Sequence, residues 1–210
     1  MKKILIAALS IYTFSNADTL KPVNLNSPDM NSKVTLMQAL SKRASVRSFS
    51  DQPLSLQQLS DLLWAANGIN RPEKGGRTAA SAINAQDIDI YVIMKDGAYL
   101  YSPREKKLLP VASGDFRDKI GPQDYVQTAP VNLILVSDLS KFSRGDDAGK
   151  AAWAALDAGI VSQNISLYCA AGGLATVPRA MINFEELKNI LKLKDNQKIM
   201  LNHPVGYSKN

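Results

Sequence analysis

The sequence predicts a single globular domain built from both strands and helices. Three observations carry this. Ile88, Ile90, Val92 and Met94 recur at every second position, the period of a strand with an apolar face. Val131 to Val136 reads as a second central strand. Ala151 to Ala171 is the longest helical run, about 30 Å at the standard rise, with few charges along it. A helix apolar nearly all round must be covered on several sides.

The remaining elements follow in order. Thr35 to Lys42 reads as a short helix. Ser55 opens the next, with Gln58 at the reciprocal capping position, and Leu56, Leu59, Leu62, Leu63 and Ala66 keep helical spacing until Gly68. Arg71 to Ala80 is polar, holds Gly75-Gly76, and is expected to be a mobile loop. Gly97 to Leu109 has the character of a hairpin. Asp115 to Ile120 and Gln123 to Gln127 are short helical pieces, and Phe142 to Lys150 is a polar loop. Its Arg-Gly-Asp tripeptide is short enough to arise by chance. Asn183 is placed to cap the last helix, with Glu186 three residues on. Lys198 to Val205 is a final strand.

The chain has 210 residues, of which 45% are hydrophobic. That is enough to bury a sizeable core. Met1-Lys2-Lys3 followed by the apolar run Ile4 to Phe14 reads as a secretory signal. Ser15-Asn16-Ala17 offers a small-residue cleavage site before Asp18. The expected organisation is a signal peptide over 1–17, an extended arm over 18–33 and one domain over 34–210, with the mature protein periplasmic or secreted. The apolar run is too short for a permanent membrane span. The net charge is +6, and losing Lys2 and Lys3 with the signal leaves +4. No basic stripe interleaved with aromatics is present, which argues against nucleic-acid binding. Cys169 is the only cysteine, so an intrachain disulfide is excluded, and a metal cluster has no ligand set. Cys169 lies in an apolar helix and reads as a buried, inert thiol. His203 stands alone in a strand-like stretch and reads as structural.

The stretch from Ser41 to Phe49 carries the strongest chemical signal. Arg43, Ser45 and Arg47 alternate along a segment leaving a helix, so their side chains fall on one side of an extended chain. Two guanidinium forks and a hydroxyl suit a phosphate monoester. In isolation, a solvated basic edge at a helix C-terminus would look the same. Two more segments accompany it: Ser81-Ala82-Ile83-Asn84-Ala85-Gln86 ahead of a strand, and Gly172-Gly173-Leu174-Ala175-Thr176-Val177-Pro178-Arg179 after the long helix. Pro204-Val205-Gly206-Tyr207 closes the set.

In this order and spacing the chain resembles the FMN-dependent nitroreductase family from about Leu36 to Lys209. Tyr99-Leu100-Tyr101-Ser102-Pro103, Leu108-Leu109-Pro110 and Ala158 to Asn164 look closest to the branch that includes azoline dehydrogenases. The resemblance implies an α+β fold with a central, mostly antiparallel sheet flanked by helices. It also implies a homodimer with the long helix in the interface and one FMN in each of two interfacial pockets. Carried over residue by residue, Arg43, Ser45 and Arg47 match phosphate and ribityl contacts. Lys209 stands where the family usually has a further basic residue. Ser81 and Asn84, with Gln86 as a weaker candidate, match the loop that binds the flavin's polar edge; the family's proline before the serine is Ala80 here. Gly173, Leu174, Thr176 and Val177 match the segment whose backbone approaches flavin N5. The cofactor does the chemistry, which accounts for the lack of a catalytic Cys, His or carboxylate pair. Arg179 lies just beyond, within reach of substrate or solvent. The implied activity is ping-pong electron transfer to nitroaromatic, quinone or other flat acceptors. Azoline-dehydrogenase-like oxidation of a peptide-derived substrate, and a degenerate flavin-binding protein without turnover, are the alternatives.

Overall fold

The computed structural model describes residues 20–31 and 33–209. The expected signal segment therefore lies outside the described residues. The architecture is α+β: a seven-stranded antiparallel sheet flanked by helices, with a small separate hairpin. The arm contributes β1 (Val23–Asn24). Helices α1 (Leu36–Lys42) and α2 (Leu56–Asn67) follow, then the hairpin strands β2 (Ile69–Arg71) and β3 (Gly76–Arg77). Strands β4 (Ile88–Ile93), β5 (Gly97–Ser102) and β6 (Lys107–Ser113) form a meander. After α3 (Asp124–Thr128) come β7 (Val131–Asp138), α4 (Asp147–Gly172), β8 (Ala175–Thr176), α5 (Phe184–Ile190) and β9 (Gln197–Gly206). The sheet order is β1-β6-β5-β4-β7-β9-β8.

The two central strands explain the layering. Ile88, Ile90 and Val92 of β4 and Val131, Leu133 and Leu135 of β7 point into one core with Leu62, Leu63, Val161 and Ile165 of α2 and α4. Tyr91 and Ile93, with Ile134 and Val136, point into a second core with Val126, Leu187 and Leu191 on the other face. A strand covered on both sides loses the apolar–polar alternation of a half-exposed one. This is why Val131 to Val136 is apolar at every position but Asn132, whose buried amide donates to the Val126 carbonyl.

Local chemistry sets the helix starts. Ser55 and Gln58 form the expected capping box, and Thr35 and Gln38 form a second one at α1. α4 begins at Asp147 rather than Ala151, because the Asp146 carboxylate accepts from the Gly149 N–H at 2.9 Å. The helix therefore runs 26 residues, about 39 Å. The segment expected to be a mobile loop is instead the β2–β3 hairpin. Gly75 takes a left-handed φ of 63°, and the Arg71 guanidinium lies where a side chain on Gly76 would sit. Asn183 precedes α5 but does not cap it: its amide donates to the Lys119 carbonyl.

The arm lies against the domain. Val23 pairs with Leu108, the Asn26 N–H donates to Ser60 Oγ, and the Asp29 N–H donates to Asp61. No helix among the described residues is long and apolar enough to cross a membrane.

Candidate functional site

The chain leaves α1 through Arg43, whose φ and ψ of −57° and 119° are extended. The following segment is stitched between two other parts of the fold. The Val46 N–H donates to the Thr176 carbonyl at 3.0 Å and the Ser50 N–H to the Tyr207 carbonyl at 2.9 Å. The Lys209 N–H donates to the Ser48 carbonyl at 3.3 Å, and Ser48 Oγ donates back to the Lys209 carbonyl at 3.2 Å. Phe49 anchors the segment in a small core with Ala129, Ala175 and Val177, against which Val46 also packs. These contacts bring residues 43–49, the 173–177 turn and Lys209 together at the edge of the sheet. Arg43, Ser45, Arg47 and Lys209 are exposed. Among the described residues their side chains have no ion-pair or hydrogen-bond partner. Three cations thus lie at one edge, paired with no carboxylate among the described residues.

The turn after α4 is built on Gly173 at φ 68°, a conformation glycine adopts without steric cost. The Gly173 and Leu174 N–H groups both donate to the Cys169 carbonyl. Leu174, Thr176 and Val177 are buried, so what this turn offers outward is backbone. Thr176 faces inward, with its hydroxyl 3.1 Å from His203 Nδ1, while His203 Nε2 lies 2.8 Å from Ser162 Oγ on α4. Burial pushes the pKa of His203 down to about 3, so the ring is neutral and acts as a spacer between helix and turn. Arg179 is buried rather than solvent-facing. Its guanidinium donates to Asn202 Oδ1, Gln123 and the Met181 carbonyl.

The third predicted element, the loop from Ser81 to Gln86, is strained. Ile83, Asn84 and Gln86 all take left-handed φ, at 49°, 57° and 50°. A β-branched residue there is an outlier, and each such residue costs on the order of 1–3 kcal/mol. Cross-links hold the shape. Ser81 Oγ accepts from the Gln86 N–H at 2.8 Å, and the Ala82 N–H donates to both carboxylate oxygens of Asp157 on α4 at 3.0 and 2.9 Å. The Gln86 amide is engaged within the protein: its oxygen accepts from Arg77 Nε and its nitrogen donates to the Gly75 carbonyl. Asn84 is exposed, and its amide N–H₂ donates to no group among the described residues.

One protomer does not bring this loop to the cation edge. The loop hangs from Asp157, and the turn begins at Gly173 on the same continuous helix, about 24 Å further along at 1.5 Å per residue. On either side of Asp157, α4 exposes Ala152, Ala155, Leu156, Gly159 and Ile160, with Leu156 65% exposed. Asp157 is the site residue that motif reasoning missed. It lies 75 residues from the loop it holds, and nothing local marks it.

The Nitroreductase family model matches residues 40–207. A nitroreductase-like protein of Methanocaldococcus jannaschii is 29% identical over 191 residues, covering 85% of this chain and 93% of that protein. An FMN reductase of Bacillus subtilis is 24% identical over 75% of this chain and 59% of its own length. Among solved structures, a nitroreductase-like protein from Ralstonia eutropha superposes with a TM-score of 0.85 at 36% identity, covering 90% of each chain. With the family match spanning Arg43 to Arg47, the strained loop and the turn after α4, the chain belongs to the nitroreductase family of oxidoreductases.

Proposed function

We propose that the protein is an FMN-dependent oxidoreductase that works as a homodimer, passing electrons by ping-pong exchange to nitroaromatic, quinone or other flat electrophiles. One observation carries this reading. α4 holds the two halves of the site about 24 Å apart in one chain and bares an apolar stripe around the Asp157 end of that span. A second copy packed antiparallel on that stripe would bring its 81–86 loop to the first copy's cation edge. The residues fit FMN in kind. Arg43 and Arg47 supply forks and Lys209 a point charge for a phosphate. Asn84 supplies a side-chain amide with spare donors, and the 173–177 turn supplies rigid backbone. FMN, when bound, supplies the hydride and electron chemistry at N5. The chain's own part is to bind, orient and shield it.

The Met1 to Ala17 segment supports export, and therefore a donor other than a freely diffusing nicotinamide. Purified mature protein titrated with FMN tests the reading. A yellow, photoreducible dimer in sedimentation is expected. A flavin-loaded monomer would overturn the dimeric site, and a colourless protein that FMN does not reconstitute would favour the degenerate reading.

A further inference from the structure

The arm that crosses the domain roofs a cavity of about 380 Å³, a size that suits a small molecule. None of the residues lining it belongs to the cation edge, the 81–86 loop or the 173–177 turn. Its walls come from the arm, α2, the β2–β3 hairpin and the turn joining β5 to β6. The roof is pinned on both sides. Val23 and Asn24 pair with Leu108 and Lys107, the Leu25 N–H donates to the Lys106 carbonyl at 2.8 Å, and the Asn26 N–H donates to Ser60 Oγ at 2.9 Å. The apolar part of the wall is stiff: Pro28, Pro72 and Pro103 stand there with Leu25, Ile69 and Trp64. Trp64 is half-buried, and its indole N–H is spent on the Ile69 carbonyl at 3.1 Å. It therefore offers the cavity a ring and no donor.

The polar groups of the wall are unspent. Tyr101 is only 8% exposed, and its hydroxyl has no hydrogen-bond partner among the described residues. Nor is that hydroxyl sealed in the interior, so it opens on the cavity that its residue lines. Burial pushes the Tyr101 pKa up to about 12, against the opposing charge of Arg77, so the hydroxyl keeps its proton and is free to donate. The charged residues of the lining are Arg104 and Lys106. Both are exposed, which puts them at the mouth, and neither side chain has a partner among the described residues. Glu105 stands between them in sequence but does not line the cavity; its carboxylate accepts from Ser102 Oγ.

We propose that this cavity binds a small aromatic carboxylate. The ring lies against Trp64 and the prolines, the carboxylate meets Arg104 and Lys106 at the mouth, and an acceptor oxygen at the far end takes the Tyr101 hydrogen bond. Each feature of the wall selects one feature of the ligand. A neutral hydrocarbon would leave the Tyr101 donor and both cations unused. A cationic ligand would meet like charge at the mouth. A bare inorganic anion would leave the apolar wall uncovered. A carboxylate takes a charge-assisted, bidentate contact from a guanidinium. The site stands apart from the flavin reading and does not depend on it.

The chain has two tryptophans, Trp64 at the cavity and Trp153 on α4 against Phe142, so two indole N–H resonances report the test. Three probes are titrated: 6-hydroxy-2-naphthoate, 2-naphthoate without the far oxygen, and 2-naphthol without the carboxylate. The first should shift the Trp64 signal to saturation and leave that of Trp153 in place. 2-Naphthol should bind about tenfold more weakly, as the loss of a charge-assisted contact implies, and 2-naphthoate about fivefold more weakly. Arg104→Gln combined with Lys106→Gln should bring 6-hydroxy-2-naphthoate down to the level of 2-naphthol. Tyr101→Phe removes a hydroxyl that bonds nothing in the protein, so it should fold as wild type and bind the two naphthoates equally. Equal affinity of wild type for all three probes, no saturable Trp64 shift, or a double variant that binds as wild type overturns the proposal. Flavin-free and FMN-saturated protein should give the same Trp64 titration. Displacement of the probe by FMN would place it in the flavin site and overturn the proposal. FMN that fails to bind, with the Trp64 titration intact, would refute the flavin reading and leave the cavity standing.

Discussion

His203 is the one histidine in the chain, and its burial makes a quantitative prediction about acid stability. The ring is sealed between Ser162 and Thr176, with a folded-state pKa near 3 against 6.5 when exposed. Between those values the unfolded chain binds a proton that the native protein refuses. Stability is therefore fully present above about pH 7 and is lost as pH falls through 6.5. The slope is about 1.4 kcal/mol per pH unit, so by pH 5 this one ring removes about 2 kcal/mol. Asp87 acts in the opposite sense, because its native pKa is raised and its proton is gained on acidification. The test is therefore a difference. Urea unfolding of wild type and His203→Gln is compared at pH 7 and pH 5, at one protein concentration because dimerisation shifts apparent stability. At pH 7 the variant should be less stable by about 1–3 kcal/mol from the disturbed Ser162 and Thr176 contacts. Between pH 7 and pH 5 it should lose about 2 kcal/mol less than wild type. Parallel losses in the two proteins would refute the reasoning, as would a native His203 proton resonance titrating near 6.5.

Other expectations follow from the same structure. Arg47→Ala should weaken FMN binding by roughly ten- to hundredfold, the worth of a charge-assisted contact of about 1.5–3 kcal/mol; unchanged affinity by flavin fluorescence would remove Arg47 from the site. Leu156→Lys should yield a folded monomer that no longer holds flavin, and sedimentation showing an intact dimer would take α4 out of the interface. Asp146→Ala should cost about 1 kcal/mol of thermal stability through the lost cap on α4. Mass spectrometry of protein from its native cell should find Asp18 as the first residue, and an intact Met1 in the cytoplasm would contradict export.

What the sequence disclosed was what lies close together along it. The two central strands of the sheet, the Ser55–Gln58 cap and the end of α4 at glycine are written in short windows, and each window holds its own physical cause. The α4 start was missed because Phe142 to Lys150 looks polar as a block, although Asp146 with Gly149 three residues on is an ordinary cap. The β2–β3 hairpin was missed because glycines that permit mobility also permit a tight turn. For the site, alternation picked out Arg43, Ser45 and Arg47, and the structure lays Lys209 and the 173–177 turn alongside them. The distant contacts were not legible. Asp157 meets the Ala82 N–H only because α4 passes beside the loop, and Arg179 is buried only because Asn202 waits across the sheet edge.

α4 also works as a ruler. Its first half suspends the strained loop through Asp157, its middle grips His203 through Ser162, and its last turn ends in the Gly173 bend. All three attachments are read off one rigid rod, so their relative distance and bearing are fixed by residue count alone. Removing one residue between Asp157 and Gly173 would shorten the span by about 1.5 Å and swing the bend by about 100° about the helix axis. Side chains on the outer face of that interval answer only to what packs on them. The number of residues in it cannot change.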